Sequence, residues 1–259
     1  MLQDEVVVIT GVGPGLGSKL AVRAAAAGAK VVMAARSADV MTQVEKDVTA
    51  AGGEAVGVQC DVRRPEDVAR LVRTAVDRFG TITGLVNSAF GHPGFFDLLE
   101  TPEKAIRRSM DIILYGALTV TREVVPHMKA AGRGSIVNIG TMTTRKPMRG
   151  EGGYAVAKAA MATATQFMAL ELGPHGIRAN QAVMGWLDGP GVRFYLQVNA
   201  NARGVSEQDV YDEIAARNPL GRIPTDEACA GAVLFLLSRA ASEITGAVLD
   251  VNGGEYMPA

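Results

Sequence analysis

The stretch TGVGPGLG, Thr10 to Gly17, stands between an apolar run, EVVVIT from Glu5 to Thr10, and an alanine-rich segment of helical period. No other feature constrains the fold as tightly. A strand that enters a helix through a glycine-dense turn leaves backbone N–H groups converging on one spot before the positive end of the helix, a cradle for a pyrophosphate. Such a strand also needs a sheet to receive it. Further runs of the same kind follow: KVVMAA at Lys30–Ala35, EAVGVQC at Glu54–Cys60, GLVN at Gly84–Asn87, SIVNIG at Ser135–Gly140, IRANQAV at Ile177–Val183 and AVLDV at Ala247–Val251.

These runs are continuously apolar, which suits strands covered on both faces, and the segments between them are long enough for crossover helices. The spacing predicts one α/β domain over residues 1–259, a Rossmann-like doubly wound parallel sheet of about seven strands with helices on both faces. A hydrophobic content of 48% against 20% charged residues supplies the core such a sheet requires. Helix ends are marked by Gly28 after the first, Gly52 and Gly53 after the second, and Pro65 at the start of the third. From Met184 to about Val205, with GWLDGPG at its head, the chain reads as weakly structured, and SEQDVYDEIAAR after it as a helix. A substrate loop or lid is expected over about 184–218.

A net charge of −1 with scattered basic residues argues against nucleic acid and anionic membrane surfaces as partners. The opening MLQDEVVVIT lacks the pattern of a secretory signal, and no apolar run reaches spanning length, so a cytoplasmic location is expected. Cys60 and Cys229 have no CxxC spacing, and His92, His127 and His175 lie far apart. Neither a disulfide framework nor a metal site is predicted, and both cysteines are expected as small buried groups.

After the second strand comes Ala35-Arg36-Ser37, where a ribose-binding carboxylate would exclude a phosphate and none stands. Arg36 offers a planar fork to the 2′-phosphate of NADP(H) and Ser37 adds a hydroxyl, while nearby Asp39 leaves NAD(H) as the alternative. Tyr154 and Lys158, four positions apart, share one face if the segment is helical. An ammonium beside a phenol favours phenolate, which would bring Tyr154 toward the range of a useful general acid/base.

The turn, in the form TGxxxGxG, followed by YAVAK at Tyr154–Lys158, by ELGPHGIRAN, and by a tail from NPLGRIP to ITGAVLDVNGG, resembles the short-chain dehydrogenase/reductase family over essentially the whole chain. The broad pattern is similar to that of 3-oxoacyl thioester reductases. The resemblance implies a cofactor held by Thr10, Gly11, Gly15, Leu16 and Gly17, with Asp61 and Val62 at the adenine. It gives Asn87, Ser88 and Ala89 the place of the family's NNA, and backbone groups near Leu187 the orientation of the nicotinamide. Tyr154 and Lys158 would also bind the cofactor, Lys158 through the ribose. The family's substrate-binding serine, thirteen residues before the tyrosine, falls on Thr141, with Thr143 or Thr144 as alternatives. A homotetramer or homodimer is implied, joined through the long helices after the fourth and fifth strands and through the C-terminal strand.

The expected activity is NADP(H)-dependent interconversion of a small-molecule ketone and a secondary alcohol. Departures from the pattern keep a second class open: a nucleotide-binding protein with little catalysis, or one with altered chemistry such as an epimerase or dehydratase. Phe90 replaces the glycine of NNAG, Ile113 replaces an asparagine that organises a water near the lysine, Met184-Gly185 replaces PG, and Gly189 replaces a threonine. Phe95, Phe96, Trp186, Phe194 and Tyr195 read equally as pocket walls or as core and subunit contacts. Arg145, Lys146 and Arg149 read as a solvated basic loop or as a site for an acidic substrate.

Overall fold

The structure, a computed structural model, describes residues 1–258. Seven strands form one sheet: β1 (Val6–Thr10), β2 (Lys30–Ala35), β3 (Glu54–Gln59), β4 (Gly84–Asn87), β5 (Gly134–Thr141), β6 (Ile177–Met184) and β7 (Val248–Val251). Their order is β3-β2-β1-β4-β5-β6-β7, and every neighbouring pair is parallel. Successive side chains of β1 feed opposite cores: Val7 and Ile9 join one apolar cluster and Val8 the other. On the first face lie α1 (Leu16–Ala26), α2 (Ala38–Ala50) and α9 (Asp226–Leu237); on the second lie α3 (Pro65–Phe79), α5 (Gly116–Ala130) and α6 (Gly152–Leu172).

The chain leaves β1 toward β2 on one side and reaches β4 on the other, so the strand order reverses between β1 and β4. Crossovers pointing in opposite directions open a crevice beyond the C-terminal ends of these strands. Thr10, Asn87, Thr141 and Met184, the last residues of β1, β4, β5 and β6, all end at that edge. α4 (Glu103–Met110) continues through one π-helical turn, Asp111–Tyr115, directly into α5.

The weakly structured segment expected from Met184 to Val205 is instead largely helical. α7 (Pro190–Arg203) and α8 (Glu207–Ala215) form a helical pair. Val192, Leu196 and Ala200 recur at helical spacing and bury against Val210, Ile214, Ala215 and Ile223. Pro190 opens α7, and Gly204, at φ +67°, closes it in the left-handed conformation. The polar residues Gln197, Asn199 and Asn201 and the glycine-rich entry mask this pattern in the sequence.

Cys60 and Cys229 are free and buried; burial pushes their thiols up, to about 12 and about 11. Among the described residues no helix is long and apolar enough to cross a membrane.

Candidate active site

The turn after β1 is shaped by what cannot fit there. Gly11 has φ +75°, and a Cβ on it would overlap the carbonyl of Ser88; a Cβ on Gly17 would lie 2.5 Å from the carbonyl oxygen of Gly11. Gly13 faces open space. Thr10 pins the turn to β4 from below, its Oγ1 accepting from the Ser88 amide at 3.2 Å and donating to Val86 O at 3.4 Å. Gly15 leads into α1, and Gly15, Leu16 and Gly17 at its start line the crevice.

Across the crevice, α6 places Tyr154 in its first turn and Lys158 one turn later. Lys158 is buried; its Nζ donates to Ile139 O of β5 at 2.6 Å and lies 5.7 Å from the centre of the Tyr154 ring. Thr141 ends β5, and its Oγ1 lies 3.2 Å from Oγ1 of Thr143. Both threonines face the crevice. Thr144 does not: its hydroxyl turns back to donate to Thr141 O at 2.9 Å. A single cavity of about 470 Å³ therefore has the glycine turn, Ser88 and Leu187 on its walls together with Thr141, Tyr154 and Lys158.

The family model described as enoyl-(acyl carrier protein) reductase matches residues 11–255. The chain is 35% identical over 254 residues to cis-4-hydroxycyclohexanecarboxylate dehydrogenase of Sinomonas cyclohexanicum, covering 97% of this chain and 96% of that protein. It is 34% identical over 252 residues to the short-chain reductase protein NovJ of Streptomyces niveus, covering 97% and 94%. The chain belongs to the short-chain dehydrogenase/reductase family. Among solved structures, levodione reductase superposes with a TM-score of 0.90 at 28% identity, covering 98% of each chain. NAD+-bound xylitol dehydrogenase does so with a TM-score of 0.90 at 27% identity, covering 98% of this chain and 99% of that one. As a member of this family the protein is an oxidoreductase of the dehydrogenase/reductase type.

Within the short-chain dehydrogenase/reductase frame, the other expected cofactor residues stand apart from the central cavity. Arg36 and Ser37 are exposed at the end of β2, and Ser37 makes no side-chain capping bond to α2. The Asp61 carboxylate is held bidentately by Arg63, with Nε to Oδ1 at 2.9 Å, and this bond holds its carboxyl low, at about 2. Val62 packs into the core, touching the space that a side chain on Gly116 would need. Asn87 donates to Asn138 Oδ1 at 2.9 Å, and Asn138 in turn donates to Thr165 Oγ1 at 2.9 Å, a buried network joining β4, β5 and α6. Ala89 lies behind the cavity with Ile113.

The electrostatics differ from the expectation that the lysine lowers the phenol. Burial pushes Tyr154 up, and the charge of Glu151 pushes it further, whereas burial draws Lys158 down to about 8. Desolvation outweighs attraction because both groups leave water. Glu151 pairs with His92, Nε2 to Oε2 at 3.1 Å, and the His92 ring centre lies 5.2 Å from that of Tyr154. No local pattern marks this pair, whose members are separated by 59 positions.

The Phe90 ring lines the cavity and meets Tyr154 edge-on, centres 5.5 Å apart. Ile113 is buried with Ala117, Ala157 and Met161 against Tyr154, so an apolar side chain stands where the family resemblance implies a water-organising asparagine. Phe95, Trp186 and Tyr195 line the cavity, the last two with ring centres 4.9 Å apart; Phe96 and Phe194 do not line it. The basic loop is spoken for within the chain: Arg145 pairs with Asp250, Lys146 with Glu255 at 3.0 Å and Arg149 with Asp97 at 2.9 Å. These pairs favour a structural role over an acidic substrate.

Proposed function

We propose that the protein interconverts a ketone and a secondary alcohol using NADP(H), with Tyr154 as the proton donor and acceptor. The observation that carries this reading is the shared cavity, in which a glycine turn closed to side chains faces the Tyr154–Lys158 pair. The turn fits a dinucleotide: Gly11 and Gly17 admit no Cβ, Gly13 is open, and the first residues of α1 line the space. Arg36 supports NADP(H) over NAD(H). It is exposed beyond β2, and Asp61, the acid its charge reaches, is already held by Arg63.

NADPH, when bound, supplies the hydride to the carbonyl carbon. Tyr154, kept protonated by burial and by Glu151, gives its hydroxyl proton to the carbonyl oxygen. Thr141, or Thr143 beside it, donates a hydrogen bond to the same oxygen and orients the carbonyl. Lys158, fixed by Ile139 O, brings its positive charge toward the phenolate that proton donation leaves. In oxidation the same groups act in reverse. Phe90, Phe95, Trp186 and Tyr195 favour a largely apolar substrate.

Several exposed apolar side chains support a homo-oligomer: on α6, Phe167 is 58% and Leu170 73% exposed, and Tyr115 stands out at the start of α5. Two buried free thiols are compatible with a cytoplasmic setting. The apolar packing of Ile113 favours a second reading, a nucleotide-binding protein with little turnover. One experiment separates the two: binding of NADPH and NADH by fluorescence, then a panel of ketones, acyl thioesters and alcohols. The first reading requires substrate-dependent loss of reduced-nicotinamide absorbance; binding with no turnover across the panel supports the second.

A further inference from the structure

Asp226, the first residue of α9, has no place in the chemistry above, yet its carboxyl reaches the nucleotide side of the cavity. The side chain is buried and held between two glycines. Its Oδ2 fills the space a side chain on Gly189 would need, and lies 3.2 Å from where a Cβ of Gly15 would stand, beside the N-terminus of α1. Glycine at both positions makes room for this carboxyl.

Its charged surroundings are few. α1 contributes Lys19, whose charge draws the carboxyl down without reaching pairing distance, and Arg23, which is taken by Glu227 at 3.6 Å. From the approach to α7, Asp188 pushes the carboxyl up and is itself paired with Arg193 at 3.0 Å. On α9 itself the next turn holds the Cys229 thiol. Among the described residues, Asp226 is thus the acid of this group left without a paired cation, and burial raises its carboxyl above the ordinary range.

An anionic pyrophosphate drawn to the amides of α1 comes close to this carboxyl. Two negative charges in a buried space are not both tolerated. Resting on the reading that the turn binds a dinucleotide, we propose that Asp226 couples cofactor binding to the uptake of one proton, the nucleotide entering with Asp226 as the neutral acid. The proton comes from solvent and returns when the nucleotide leaves.

The test is nucleotide affinity between pH 5 and pH 8, measured by protein fluorescence with NADH, which lacks the titrating 2′-phosphate, and then with NADPH. Calorimetry in two buffers of different ionisation enthalpy counts protons. The wild-type protein should bind more weakly as pH rises, by up to about tenfold per unit above the free carboxyl's titration, and should take up close to one proton. D226N should lose that uptake, flatten the dependence and bind more tightly than wild type at pH 8. D226A, which removes the carboxyl without leaving an amide, should flatten it as well. Wild-type binding that takes up no proton, or variants that keep the wild-type slope, would overturn the proposal and leave the dinucleotide reading intact. If neither nucleotide binds the wild-type protein at any pH, both fail.

Discussion

His92 donates its Nε2–H to Oε2 of Glu151 at 3.1 Å, and the Gly94 amide donates to Nδ1 of the same ring at 3.1 Å. With Nδ1 accepting from Gly94, the proton offered to Glu151 sits on Nε2. That carboxylate stands three residues before Tyr154 and, after burial itself, is the second influence holding the phenol protonated. The pair thus favours Tyr154 as an acid, the form that reduction uses.

Glu151→Gln removes the charge and keeps the shape. The pKa that governs alcohol oxidation, where Tyr154 must accept a proton, should fall by about half to one unit, moving the rise of kcat/KM to lower pH. The pH profile of oxidation checks this; an unmoved profile would mean the Glu151 charge does not reach the phenol.

Lys158 gives a stability signature. Its folded value of about 8 lies below the ordinary 10.5, so between these two the unfolded chain binds the extra proton. Stability of the nucleotide-free protein should therefore rise with pH across that window, by about 3 kcal/mol at most. Urea unfolding at a series of pH values should show the rise in wild type and its loss in Lys158→Met.

Arg36→Leu addresses cofactor choice. Loss of a charge-assisted bond to the 2′-phosphate should weaken NADPH binding by about 10- to 100-fold and leave NADH nearly unchanged. Equal losses for both nucleotides would remove Arg36 from the phosphate site.

The strands and the Tyr154–Lys158 pair were legible because each is written locally, in continuous apolar runs and a four-residue spacing. β2 and β4 occupy the residues the sequence predicts, β1, β3, β6 and β7 differ by one residue at one end, and β5 is longer by one residue at each end. α7 was not legible: its buried face carries only Val192, Leu196 and Ala200 among polar and exposed residues, and gains its meaning from α8. The His92–Glu151 pair, the ion pairs that claim Arg145, Lys146 and Arg149, and the fit of Asp226 against Gly189 all join distant segments. A sequence read in windows carries no trace of them, although Gly189 had already marked the spot as unusual.

Tyr154→Phe tests the account most directly, because it removes one hydroxyl and leaves the ring packed against Phe90 and His92. With a ketone that the wild-type protein reduces, the variant should still bind NADPH while kcat falls by about 10²- to 10⁴-fold. Turnover at the wild-type rate with NADPH bound would contradict the assignment of Tyr154 as the proton donor.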